Sequence, residues 1–99
     1  MSATLLRNTA PAVWTLQGAL TFDTVPQLWS ETDQWLSGTL PLSLDLIEVG
    51  VVDSAGLALL LGWKSRAQLS GIALHYLNLP QRLLAIASIT DTKALLTGA

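Results

Sequence analysis

The spacing of apolar positions changes several times along this chain, and each change marks a new element. Residues 3–8 and 12–18 read as two short strands, and Thr9, Ala10 and Pro11 between them suit a hairpin turn. From 24 to 37 the period lengthens. Val25, Leu28, Trp29, Thr32, Trp35 and Leu36 recur at three- and four-residue spacing, one face of a helix, which leaves Glu31, Asp33 and Gln34 to solvent. Asp23 or Thr24 is placed to cap this helix, Pro26 fits its first turn and Gly38 ends it.

Leu42, Leu44 and Leu46 then alternate with Ser43 and Asp45, a strand that the largely apolar run Ile47 to Val52 continues. After Asp53 the pattern turns helical up to about Leu69, where Ser70-Gly71 closes the helix. Residues 72–77 form another apolar strand. Asn78 can cap a helix that starts near Pro80 and carries Leu83, Leu84, Ile86 and Ala87, and Asp91 can cap a last short turn through Leu96. Strands separated by helices imply parallel crossovers, with an antiparallel hairpin at the start. The expected fold class is α/β: one domain over 1–99, with a small mixed four-stranded sheet and three to four helices packed against it.

Composition adds a constraint that the pattern alone does not show. The chain is 51% hydrophobic and 12% charged with a net charge of −2, against roughly 25% charged residues in ordinary domains. That balance excludes a polybasic nucleic-acid arm, a basic membrane-surface helix and a disordered chain. With no cysteine there is no disulfide, no thiolate zinc site and no cysteine nucleophile. Pro11, Gln17 and Gly18 interrupt any secretory apolar core in residues 1–20. The longest apolar stretch, Ala55 to Trp63, spans nine residues, whereas a membrane helix needs about 20. A cytoplasmic protein with an apolar excess at its surface is the expectation.

Candidate chemistry is sparse. His75, the one histidine, lies in a strand, and no Gly-x-Ser-x-Gly elbow offers it a nucleophile. Asp45, Glu48 and Asp53 have no histidine beside them to complete a metal site and read as strand-edge or cap residues. No Walker-type phosphate loop occurs. No enzyme, metal or cofactor is expected. Of the four tryptophans, Trp14, Trp29 and Trp35 fit apolar faces, and Trp29 is also a candidate contact near the turn at Ser54.

That turn carries the strongest signal. Asp45-Leu46, Val49 and Asp53-Ser54-Ala55-Gly56-Leu57, set in this order of strands and helices, resemble the STAS domain, the fold of anti-sigma factor antagonists and sulfate-transporter tails. Read physically, Ser54 is placed to cap the following helix, and Gly56 permits close backbone approach. The resemblance instead implies that the Ser54 hydroxyl is a phosphoacceptor or a partner contact. Leu60, Trp63 and Ala67 share one helical stripe, but Leu57, Leu59 and Leu61 fall off it. Either the helix is buried on most sides or it offers an apolar docking surface beside Ser54.

The run Gly56 to Leu61 and the pair Leu28-Trp29 look most like the MlaB group, small cytoplasmic STAS subunits of a Gram-negative ABC complex that transports phospholipid and maintains outer-membrane lipid asymmetry. This likeness spans roughly residues 12–90. It implies a protein partner, the ATPase subunit, contacted through Asp53, Ser54, Ala55, Gly56, Leu57, Leu59, Leu61 and Trp29, and a location at the inner membrane through the complex. Ser54 stands where MlaB proteins often carry Thr. That departure slightly favours the other branch of the family, in which a regulatory kinase phosphorylates this serine, whereas the apolar helix and the low charge favour the MlaB group.

Overall fold

The computed structural model describes residues 3–7, 13–36 and 41–97. Its order is β1 (Ala3–Arg7), β2 (Val13–Leu20), α1 (Val25–Ser30), α2 (Thr32–Trp35), β3 (Leu42–Val52), α3 (Ser54–Leu69), β4 (Leu74–Leu77), α4 (Gln81–Ile89) and α5 (Lys93–Thr97). The four strands lie in sequence order, β1-β2-β3-β4. β1 pairs antiparallel with β2, and the β2–β3 and β3–β4 pairs are parallel. The α/β class and the four-stranded mixed sheet are those the pattern predicts. The Thr9–Pro11 turn, the Gly38 stop and the side chain of Trp35 lie outside the described residues.

The boundaries and caps differ in several places, each for a local reason. The single helix expected over 24–37 is broken at Glu31. Thr32, fully buried, donates its hydroxyl to Trp29 O at 2.6 Å and accepts from Trp63 Nε1 at 2.9 Å. Its hydroxyl competes with the backbone for the Trp29 carbonyl, which favours a break at this point. Thr24 occupies the helix start without a side-chain cap bond; its hydroxyl donates instead to Ala19 O at 2.7 Å, tying the helix back to β2.

β2 runs on to Leu20 because Gly18, at φ 102°, bends the strand at a register shift rather than ending it. β4 begins at Leu74 rather than 72 because Ile72 completes the end of α3. Gly71, at φ 73°, donates its N–H to Gln68 O and Ile72 donates to Ala67 O at 2.8 Å, a Schellman ending. Asp91, expected to cap the last helix, closes α4 in the same way, with φ 59° and the Thr92 N–H on Ala87 O. Asn78, also expected as a cap, has φ 55° and donates its amide to Asp45 Oδ1, and Pro80 starts α4.

The core gathers Leu16, Leu20, Leu44, Leu46, Leu60, Trp63, Leu83 and Leu96, from strands and helices together. α3 packs against the sheet and against α1, α4 and α5. Its apolar first half is therefore a consequence of its central position. Among the described residues no helix is long and apolar enough to cross a membrane.

Candidate functional site

The junction of β3 and α3 is built around Asp53. Its backbone N–H donates to Leu20 O at 3.1 Å, which anchors the turn to the end of β2. Its carboxylate then works on two sides. Oδ1 accepts from the N–H groups of Ala55 (2.8 Å) and Gly56 (3.3 Å), and Oδ2 accepts from Phe22 N–H at 3.1 Å. The helix cap is thus Asp53, not Ser54 as expected. A carboxylate is the stronger partner here because it also meets the positive end of the helix.

With the cap supplied, Ser54 becomes the first residue of α3, exposed, and its hydroxyl has no hydrogen-bond partner among the described residues. Gly56 explains how the turn sits so low on the sheet. A Cβ there would lie 2.6 Å from Leu20 O and 2.9 Å from Leu20 Cβ, so only glycine fits.

Down the same side of α3, Ala58 and Gly62 follow Ser54 at four-residue steps and stay on its face. Trp29 of α1 lies against Gly62, whose added Cβ would meet the indole at 3.2 Å. The indole is 44% exposed and the Arg66 guanidinium sits 6.0 Å from a ring centroid, with Arg66 also paired to Asp33. Between α1 and α3 runs a shallow apolar groove of about 250 Å³ lined by Val25, Trp29, Ala58, Leu59 and Gly62. Phe22, 79% exposed, stands in the loop whose amide Asp53 holds. The face therefore combines a free hydroxyl, two large aromatic side chains and a strip of small helical residues.

The eight expected site residues divide accordingly. Asp53, Ser54, Ala55 and Gly56 form the turn, Trp29 lies half exposed two helical turns further along, against Gly62, and Leu59, 3% exposed, reaches the surface only as groove floor. Leu57, 5% exposed, belongs to the core, and Leu61 lines a different cavity. An apolar docking surface made of Leu57, Leu59 and Leu61 is thus not present, because α1 and the sheet already cover that part of α3. Sequence reasoning missed Phe22. Its signal was a large apolar residue in a loop, outside any periodic pattern.

Catalysis by Ser54 and His75 is excluded by distance along β3. His75 pairs with Ser43 near the strand's start, whereas Ser54 follows its end, about 30 Å away at the usual rise per residue. Asp45, on the inner strand β3, is likewise occupied, accepting from Ile47 N–H and from Asn78 at 3.0 Å each.

Residues 4–97 match a family model described as "Mlab, STAS domain". No curated protein matches the chain. Among solved structures, the anti-sigma factor antagonist SpoIIAA in its unphosphorylated form is similar in fold, with a TM-score of 0.65 at 15% identity over 88% of this chain and 82% of that one.

Proposed function

The chain belongs to the MlaB-type STAS family, and on that premise we propose that it is a non-catalytic docking subunit for the ATPase of an ABC-type phospholipid transporter. One observation carries this reading. The unbonded hydroxyl of Ser54 lies exposed at the head of α3, Phe22 is exposed in the loop held by Asp53, and the groove of Trp29 and Ala58 follows along the helix. A few residues carry most of the energy of a protein interface and Trp is enriched among them, and a small-residue strip lets a partner backbone approach closely. Its place at the inner membrane would then come from the complex, since the chain offers no spanning helix among the described residues.

The test is co-purification with the cognate ATPase. Wild type should form a stable complex, and Ser54→Arg and Phe22→Asp should each abolish it while leaving the melting temperature within a few degrees. Both positions are exposed, so folding is not at stake. Complexes that survive both substitutions would overturn this placement of the interface.

A second reading rests on the exposure of the same hydroxyl: phosphorylation of Ser54 by a partner kinase. A phosphate would bring about −1.5 to −2 charge beside the Asp53 carboxylate, which already holds the first free amides of α3. The new charge would stay at the surface and oppose apolar docking. Intact-mass measurement of protein isolated from cells decides this reading independently of complex formation.

A further inference from the structure

Further along α3 from Ser54, α3, β4 and α5 line an open cavity of about 600 Å³. Leu61, Ile72, Leu74, Ala94 and Leu95 supply its apolar walls, and Ser65 and Gln68 its uncharged polar rim. Lys64 is the one charged residue in the lining. Its ammonium donates to Leu74 O at 2.6 Å and lies 5.2 Å from the Tyr76 ring centroid. No carboxylate pairs with it among the described residues, and an ammonium has three donors, of which this arrangement uses one.

We propose that this cavity binds a single-chain fatty carboxylate, with its head on Lys64 and its chain along Leu61, Ile72, Leu74 and Leu95. The volume falls within the usual range for small-molecule sites, roughly 300–1,000 Å³, which pair apolar walls with a few placed polar groups. The charge selects the head group: a half-buried cation without an acidic neighbour favours an anion, and burial already holds the Lys64 pKa below its usual range. The apolar walls exclude inorganic anions as the preferred occupant, because those have nothing to bury. Leu95, 62% exposed although apolar, gains cover when a chain lies against it. This inference does not depend on the proposed ATPase contact.

The experiment titrates sodium dodecanoate, below its micellar concentration, into the isotope-labelled full chain and follows amide shifts. Saturable binding with the largest shifts at Leu61, Leu74 and Leu95 is expected, and dodecanol should bind about tenfold more weakly, as should dodecanoate to Lys64→Gln, the worth of one charge-assisted hydrogen bond. Leu95→Glu, at an exposed position, should weaken dodecanoate binding without unfolding the protein and serves where Lys64→Gln is unstable. Non-saturating shifts, equal affinity for dodecanol, or shifts centred on Phe22 and Trp29 would each overturn the proposal.

Discussion

Replacing Gly56 by alanine asks whether α3 really presses its first turn onto the end of β2. Helix propensity alone favours the change, since alanine is better than glycine inside a helix by about 1 kcal/mol. The structure argues the opposite. The new Cβ would sit 2.6 Å from Leu20 O, about 0.8 Å inside ordinary contact, and the obstacle is backbone that cannot swing aside. Overpacking costs about 1–3 kcal/mol, and an obstacle made of backbone places this case at the upper end, about 3 kcal/mol. The Leu20 carbonyl also accepts the Asp53 N–H that anchors the turn, so moving it loosens a second contact.

After the propensity gain, a net loss of about 2 kcal/mol is expected, which for a domain of this size lowers the melting temperature by about 8–16 °C. Gly62 is the internal control. Its added Cβ meets only the Trp29 ring, at 3.2 Å, and that side chain is half exposed and able to move. Gly62→Ala should therefore be neutral or stabilising by up to about 1 kcal/mol. Urea and thermal denaturation followed by circular dichroism compare the two. A Gly56→Ala protein as stable as wild type would refute the close approach of α3 to β2.

Other expectations follow from single contacts. Asp53→Ala removes the cap of α3 and the acceptor of the Phe22 amide together and should cost about 1–3 kcal/mol, whereas Asp53→Asn, which keeps one oxygen for the helix, should cost under half as much in the same denaturation assay. Tyr76, the single tyrosine, is partly buried with its hydroxyl on Leu60 O, and desolvation raises its pKa well above the usual phenol value. Because the unfolded phenol ionises first, near pH 10, the stability that Tyr76 contributes is present below that pH and is lost as pH rises towards the folded value. Lys64, whose pKa burial lowers, acts with the opposite sign on the same alkaline limb and, being only half-buried, more weakly. Tyrosinate absorbance should therefore appear together with the loss of circular dichroism, not before it.

How much of this was legible in the sequence differs from residue to residue. The order of elements and the sheet were, because Leu42, Leu44 and Leu46 alternate while Leu60, Trp63 and Ala67 recur at helical spacing, and each periodicity reports burial directly. The break at Glu31 was not, since it depends on Thr32 reaching Trp63, 31 residues away. The turn Asp53-Ser54-Ala55-Gly56 was recognisable, but spacing placed the cap at Ser54, one residue past Asp53, which supplies it. Asp and Ser are both good caps, and only the position of Phe22 N–H shows which side chain is already engaged.

Spacing alone leaves the apolar excess around Leu57, Leu59 and Leu61 open between burial on most sides and a docking surface. Most of it is core, because α3 is covered by the sheet and by helices on both flanks, a property of packing that one-dimensional spacing cannot supply. The exposed part is spread over Phe22 and Trp29, Ile47 and Val51 of β3, Leu77, Ile89 and Leu95, with only Leu69 on α3 itself.

The central claim is that this aromatic and hydroxyl-bearing face is where the protein meets its partner. Amide and indole shift mapping of the labelled chain, titrated with the cognate ATPase subunit, tests it most directly. The account predicts that the perturbed resonances cluster at Phe22, Trp29, Ser54 and Ala58. Perturbations confined to the opposite sheet face around Val13, Ser43 and His75, with these four unchanged, would contradict it.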